Sequence, residues 1–297
     1  MSSRGGIHKV ALQTNVEAVN KVKDSTEVTI PGTEQRVMQS RVGNSDYRIF
    51  VYTPDEEPPV TGFPVIYLLD ANAVFGTMVE AQRLQGRRPE KTGVVPAIVV
   101  GIGYQTEAPF ASARYYDYTL PMPVSELPKR PDGTEWPEQG GAEAFLTFIE
   151  EELKPEIERD FPIDSNRQMI FGHSLGGLFV LHVLFTKPTA FQSYIAGSPS
   201  IHWNKRILLE EEQHFTLRME QNSMDIGLLL TVGELESSHK SRMNDNAKEL
   251  SERLSKLANQ GLRVEFKQFE DEGHVSVLPV LISRALRFGW RSLSVNA

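Results

Sequence analysis

The sequence predicts an α/β fold: a largely parallel sheet with helices on both faces. Three observations carry that expectation. Short continuous apolar runs, the mark of strands buried on both faces, occur in "FPVIYLLDANAVFG" (Phe63 to Gly76), "AIVVGIGY" (Ala97 to Tyr104) and "IGLLLTVGELE" (Ile226 to Glu236). From Gly141 onward, helix-like and strand-like segments alternate without an internal repeat. A chain of 297 residues, 40% hydrophobic and 24% charged, can bury roughly three quarters of its unfolded surface without disulfide or metal staples.

The elements follow in chain order. "YRIFVYTP" (Tyr47 to Pro54) alternates in polarity and ends in a turn, which reads as a strand. The runs beginning at Phe63 and Ala97 supply two more. Between Tyr104 and Gly141 the pattern dissolves into prolines, charges and aromatics. That stretch is too long for an ordinary connection and is expected to be functional, a cap-like loop insertion over about 104–140. "GAEAFLTFIEEELKPEIERDF" has helical spacing through Phe145, Phe148, Ile149, Leu153 and Ile157. "RQMIFGH" then reads as strand, "SLGGLFVLHVLF" as helix, "FQSYIAGSPS" as strand and loop, and "IGLLLTVGELE" as strand entering a loop. "MNDNAKELSERLSKLANQG" is expected to be a helix closed by Gly261, "LRVEFKQF" a strand, and "VLPVLISRALRFGW" a final helix. Residues 26–297 are expected to form one domain, preceded by an N-terminal extension over 1–25.

Composition narrows the chemistry. With no cysteine, disulfides, zinc-thiolate sites, iron-sulfur clusters and thiol nucleophiles are excluded, so reactivity must come from serine, histidine and acids. A net charge of -8 with no block of lysine or arginine disfavours nucleic acid and anionic membranes as partners, and points to small molecules. The N-terminus lacks an apolar stretch of signal-peptide length and nothing approaches a membrane span, so the chain reads as soluble and cytoplasmic.

"MIFGHSLGGLFVL" (Met169 to Leu181) holds Gly172-His173-Ser174-Leu175-Gly176. This fits G-x-S-x-G, the nucleophile elbow, in which a sharp strand-to-helix turn lifts a serine hydroxyl above the sheet edge. Such a pentapeptide arises by chance about once in ten chains of this size. Its place, after a buried strand and opening a helix, is what makes Ser174 a candidate nucleophile. The competing reading is a helix N-cap, which would spend the same hydroxyl on a backbone N–H. The flanking glycines are expected because larger side chains would collide in the turn.

Serine needs a base, and in this fold the order is serine, acid, histidine. His182 falls inside the helix after the elbow and reads as packed; His202 and His214 come too early, and His239 sits in the polar stretch "ESSHKSR". His274, in the loop "EDEGH" before the last helix, occupies the place of the general base. The acid should leave the strand "IGLLLTVGELE". Glu236, three residues past Gly233, is preferred and Glu234 is the reserve. Two backbone donors are expected to form an oxyanion hole: the N–H of Leu175, next to the nucleophile, and that of Asn72, in the loop after "VIYLLD".

"YLLDANAVFG", "GHSLGGLFVL", "GSPSIHWN", "VGELE" and "EGHVSVLPVLISRALRF" together resemble the esterase D and antigen 85 branch of α/β-hydrolases. Within it they are most similar to siderophore esterases that open the trilactone ring of bacillibactin or enterobactin. The resemblance spans most of Val37 to Trp290, and "RYYDYTLP" (Arg114 to Pro121) is similar to that subfamily's substrate-facing Arg-x-x-Asp-Tyr-Thr segment. It implies an α/β-hydrolase fold, catalysis by Ser174 and His274 with a glutamate of "GELE", and no metal or other cofactor. Some relatives work as Ser-His dyads. The resemblance also implies an anionic siderophore substrate; general carboxylesterase activity on feruloyl esters or S-formylglutathione, or ligand binding without turnover, stand as alternatives. Where relatives commonly carry two adjacent tryptophans after "SPSI", this chain has His202-Trp203. Because the whole protein is acidic, recognition of an anion must be local, and Arg114, Lys205 and Trp203 are the candidate substrate contacts. Arg114 could instead brace its loop by pairing with Asp117.

Overall fold

Strands β1 (Thr33–Gln39), β2 (Asp46–Tyr52), β3 (Phe63–Leu68), β4 (Ile98–Tyr104), β5 (Ile163–His173), β6 (Ser193–Gly197), β7 (Ile226–Gly233) and β8 (Leu262–Phe269) form a single sheet in the order β1-β2-β4-β3-β5-β6-β7-β8. β1 pairs with β2 and β2 with β4 antiparallel; every pairing from β4 through β8 is parallel. The computed structural model describes residues 28–290 apart from 44, 124, 126, 128, 129, 131 and 132, so the expected extension over 1–25 lies outside the described residues.

The apolar runs behave as their sequences require: all of β3, β4 and β7 is buried. Their side chains alternate between two cores. Val65, Tyr67, Ile98, Val100, Ile170, Leu228 and Leu230 face one side, where α4 (Ala142–Phe148), α5 (Lys154–Asp160), α6 (Leu175–Thr186), α7 (Lys205–Gln221) and α8 (Met243–Leu254) pack. Ile66, Leu68, Val99, Met169, Phe171, Ile195 and Leu229 face the other, under α1 (Ala71–Gly86) and α9 (Val277–Phe288). Period-two alternation across a sheet clad on both faces makes continuous apolar strands necessary. Two short helices, α2 (Pro89–Thr92) and α3 (Arg114–Asp117), complete the set among the described residues.

Several elements differ from the sequence expectation. The run from Phe63 to Gly76 divides: the strand ends at Leu68, Asp70 takes a left-handed conformation (φ 53°), and α1 begins at Ala71. The helix expected after Gly141 spans 142–160 but widens into a π turn at Ile149–Leu153, just before Pro155. Proline lacks an N–H and its ring collides with the carbonyl four residues back, so the ladder shifts there. The helix expected to end at Gly261 leaves α-geometry after Leu254 and closes through a 3-10 turn, with Gly261 left-handed at φ 90°. β1 and α7 are not foreseen. β1 is an edge strand with little burial, and the buried stripe of α7, Leu208, Glu212, Phe215 and Met219, includes a glutamate that Arg253 neutralises through bonds of 2.6 and 2.8 Å.

The irregular segment after β4 is only partly loop-like. Arg114, Asp117, Tyr118, Thr119 and Leu120 are buried, and Tyr118 packs on Phe145 and Phe179 within the first core. The later part, around Trp136, borders a surface cavity. No helix among the described residues is long and apolar enough to cross a membrane.

Candidate active site

Ser174 lies between β5 and α6 with φ 60° and ψ -118°, a backbone state that L-residues rarely adopt. Close packing holds it. A Cβ on Gly172 would lie 2.2 Å from the Gly176 carbonyl oxygen, and one on Gly177 would lie 2.8 Å from that of Gly197. At Gly176 the nearest outside atom is Asp70 Oδ2 at 3.4 Å, an ordinary contact. The expectation of two flanking glycines forced by collision therefore holds for Gly172, whereas the second crowded glycine is Gly177. The Ser174 side chain does not cap α6. Its Oγ lies 3.0 Å from His274 Nε2.

His274 sits in the loop between β8 and α9, and its Nδ1 lies 2.7 Å from Glu236 Oε2. An Nδ1–H donated to that carboxylate leaves Nε2 free to accept the serine proton. Glu236 belongs to a 3-10 turn, Glu234–Ser238, that follows β7. Its Oε1 accepts the N–H of Gly233 at 2.7 Å and the hydroxyl of Ser198 at 2.6 Å. Burial alone would raise the Glu236 pKa, but the bonds from His274, Ser198 and Gly233 outweigh it and hold the carboxyl below its usual range. The group is thus charged at neutral pH, and its contribution to stability is lost only as pH falls through that lowered value.

Glu234, the reserve acid, points elsewhere: its Oε2 accepts the N–H of Asp271 at 3.1 Å, while the N–H of Leu235 donates to the Glu272 carbonyl at 3.0 Å. Those contacts tie the glutamate turn to the loop that carries His274. Glu236→Gln is expected to lower turnover about 10²- to 10⁴-fold, as loss of the acid does at related sites. Glu234→Gln should cost less than about tenfold, because only a half-buried loop contact is altered. Steady-state kinetics on both variants checks the ranking; equal small effects would indicate a Ser-His dyad.

The predicted oxyanion donors occupy comparable places. Leu175 and Asn72 stand in the first turns of α6 and α1, where main-chain N–H groups lack intrahelical acceptors. The Asn72 side chain is committed to the end of β4: Nδ2 donates to the carbonyls of Tyr104 (3.0 Å) and Thr106 (2.7 Å), and Oδ1 accepts the Tyr104 N–H (2.7 Å). Only its main-chain N–H is left for the predicted role. His173, beside the nucleophile, is buried with its ring 4.6 Å from that of His274. Burial, reinforced by His274, lowers its pKa to about 3, so it is neutral at physiological pH.

Arg114 requires a correction. It is 8% exposed, and its fork binds Asp70 bidentately, Nε to Oδ1 and Nη2 to Oδ2, both at 2.8 Å. Nη2 also approaches the His173 carbonyl at 3.4 Å. The guanidinium is therefore behind the site, unavailable as the expected substrate contact, and its partner is Asp70 rather than Asp117. Asp117 instead accepts the Tyr104 hydroxyl at 2.9 Å; burial pushes its carboxyl up to about 6 against hydrogen bonds from Tyr104 and Tyr47.

Trp203 and Lys205, the other two expected substrate contacts, border a surface cavity. A cavity of about 1170 Å³ opens over His274 and Glu236, with both residues in its wall. Trp203 donates to Gln139 Oε1 at 2.8 Å and meets Trp136 edge-on, ring centroids 4.6 Å apart; Lys205 donates to Asn246 Oδ1 at 2.9 Å. The cavity is also lined by Trp136, Ser200, Lys240 and Arg242, which the sequence reading missed, and by His202 and His239, which it weighed only as candidate bases. "SPSIHW" and "ELESSHKSR" directly follow β6 and β7, and the rule that sites gather beyond strand C-termini could have flagged them. Among the described residues, no group of His, Cys, Asp or Glu is arranged to hold a metal ion.

A strained serine at a strand-to-helix turn, bonded to a histidine that is bonded to a buried glutamate, on a mostly parallel sheet in this strand order, defines an α/β-hydrolase that acts on carboxylic ester bonds. More particularly, the chain belongs to the Esterase family, whose model matches residues 40–276. It is 66% identical over 264 residues to ferri-bacillibactin esterase BesA of Bacillus subtilis, across 89% of this chain and 91% of that protein. It is 39% identical over 249 residues to the siderophore enterobactin esterase of Emericella nidulans, across 75% and 80% respectively. The crystal structure of BES protein from Bacillus cereus matches with a TM-score of 0.84 and 45% identity, covering 89% of this chain and 98% of that one. The resemblance drawn from the sequence motifs is borne out.

Proposed function

We propose that this protein hydrolyses the ester bonds of a catecholate trilactone siderophore, its iron complex above all, with Ser174, His274 and Glu236 as the catalytic triad. The observation that carries this reading is the continuous chain of hydrogen bonds from Ser174 Oγ through His274 to Glu236, 3.0 and 2.7 Å, opening on a large cavity. Two of the relatives named above, a ferri-bacillibactin esterase and a siderophore enterobactin esterase, supply the substrate class.

His274 Nε2 takes the Ser174 proton as Oγ attacks a lactone carbonyl, and the N–H groups of Leu175 and Asn72 bind the developing oxyanion. As the tetrahedral intermediate collapses, the ring C–O bond breaks and His274 gives its proton to the departing alkoxide. Water, deprotonated by the same imidazole, then attacks the acyl-enzyme and releases the carboxylic acid and Ser174. Loss of one oxyanion donor typically costs ~10² to 10³ in turnover, so the turn at Asp70 matters as much as the triad.

The cavity suits a large anion. Lys205 and Lys240 lie in its wall with the rings of Trp136 and Trp203, and with Arg242, which is paired with Asp245 and Glu249, although the protein as a whole carries -8. A ferric tris-catecholate is anionic and aromatic, and meets both features. We read residues 26–297 as one domain whose 104–140 insertion contributes Trp136 to this wall.

The test is a hydrolysis panel of ferric and iron-free catecholate trilactones, a hydroxamate ester siderophore, p-nitrophenyl esters and S-formylglutathione, resolved by chromatography. Ring opening of the trilactones, fastest for the ferric form, with stoichiometric organophosphonate labelling of Ser174 is expected. Labelling with intact trilactones and rapid cleavage of S-formylglutathione would make the protein a general carboxylesterase. No labelling at all would make it a binding protein.

A further inference from the structure

Ser198 is used by no step above, yet its backbone is strained and its side chain is committed to the site. It is fully buried at 0% exposure and takes φ 38°, in the left-handed region that favours glycine. A non-glycine residue held there costs stability and persists only where the surroundings over-determine it. Two contacts do so. Its N–H donates to the Thr231 carbonyl at 2.7 Å, and its hydroxyl donates to Glu236 Oε1 at 2.6 Å.

The second contact divides the labour of the Glu236 carboxylate. Oε1 receives Ser198 Oγ and the Gly233 N–H, while Oε2 faces His274 Nδ1. With Oε1 pinned from two directions, rotation about the carboxylate bond is blocked and Oε2 stays in line with the imidazole. Two residues on, the same turn reaches the nucleophile: the N–H of Ser200 donates to the Ser174 carbonyl at 3.0 Å, and the two seryl Oγ atoms lie 3.3 Å apart. Ser198-Pro199-Ser200 therefore touches the acid at one end and the nucleophile at the other.

We infer that Ser198 is a positioning residue for the esterase reaction: its hydroxyl, delivered by a strained turn, orients Glu236 and thereby fixes the tautomer and aim of His274. The inference rests on Glu236 being the triad acid. Glycine would relax the backbone at this position and alanine would not, but both lack the hydroxyl. That contrast separates orientation of the acid from a purely structural role.

The experiment measures kcat and KM on a p-nitrophenyl ester for Ser198→Ala, Ser198→Gly, Glu236→Gln and the Ser198→Ala/Glu236→Gln double variant, with melting temperatures and the His274 Nδ1–H proton resonance in wild type and variants. Loss of one hydrogen bond to a charged group should lower kcat by roughly 10- to 100-fold in both Ser198 variants, with KM within about twofold. The far-downfield Nδ1–H resonance should move or broaden in both, and the double variant should be scarcely slower than Glu236→Gln, because the two residues act as a unit. Near-wild-type turnover in Ser198→Gly alongside a slow Ser198→Ala would overturn the inference and leave only backbone conformation. Fast turnover in both, with a slow Glu236→Gln, would also overturn it. Wild-type turnover in Glu236→Gln would remove instead the reading of Glu236 on which it stands.

Discussion

Ser174→Ala and His274→Ala are each expected to reduce turnover by about 10⁴-fold or more while the folded state persists, and the double variant should be no slower than either alone. In the proposed mechanism nucleophile and base form one unit: the 3.0 Å contact between Ser174 Oγ and His274 Nε2 serves no proton transfer once either side is gone. Folding should survive because both side chains sit at the open end of the sheet, His274 partly exposed, outside the two cores. Ser174→Ala also retains the strained turn, which the crowding at Gly172 enforces whatever the side chain at 174. Single-turnover kinetics, thermal melts and organophosphonate labelling check this together. A double variant much slower than both singles would mean that the two groups act independently, and substantial activity in Ser174→Ala would end the proposed mechanism.

Arg114→Gln is expected to have the largest effect on stability. The Arg114–Asp70 pair is buried on both sides, and burial, which would depress the guanidinium's pKa, is outweighed by the Asp70 carboxylate. Removing one partner of such a pair strands the other, typically at about 3 to 5 kcal/mol. The pair joins three segments that meet at the site: α3, the turn at Asp70 leading to Asn72, and the end of β5 through the His173 carbonyl. Loosening it should disturb the oxyanion geometry for every substrate. A lowered melting temperature is expected, with turnover falling by similar factors for a neutral p-nitrophenyl ester and for a ferric trilactone, and partial recovery when Asp70→Asn is added, since no bare charge then remains. A selective rise in KM for the ferric trilactone, at unchanged stability, would restore Arg114 to the role of substrate contact.

The case of Arg114 shows where sequence reasoning loses its footing. Position in an irregular segment after a strand is a fair reason to expect an exposed binding residue, and Trp203 and Lys205, chosen by the same argument, do line the cavity. What it lacks is the path of the chain in between. The segment after β4 turns inward and buries Tyr118, Thr119 and Leu120, so Arg114 arrives buried with its fork on Asp70 rather than exposed. Glu236 and Glu234 show the limit from the other side: both follow Gly233 closely enough to be candidates and an offset gives only a preference, whereas the bonds to His274, Ser198 and Asp271 show what each contacts.

By itself the sequence determined the fold class, the strands and, α7 apart, the helices of the second half, the places of Ser174 in the elbow and of His274 before the last helix, and the chemistry left by the absence of cysteine. These are local properties: periodicity, crowding in one tight turn, and the order of residues along the chain. Tertiary structure alone decided which acid meets His274, that Gly177 rather than Gly176 is crowded, that Arg114 serves Asp70, and that Ser198 reaches Glu236. Each of these depends on atoms brought together from segments up to 44 residues apart, as Arg114 and Asp70 are, or 38, as His274 and Glu236 are. Their separation in the chain carries no periodic signal; it is closed by the packing of strand ends into one edge of the sheet.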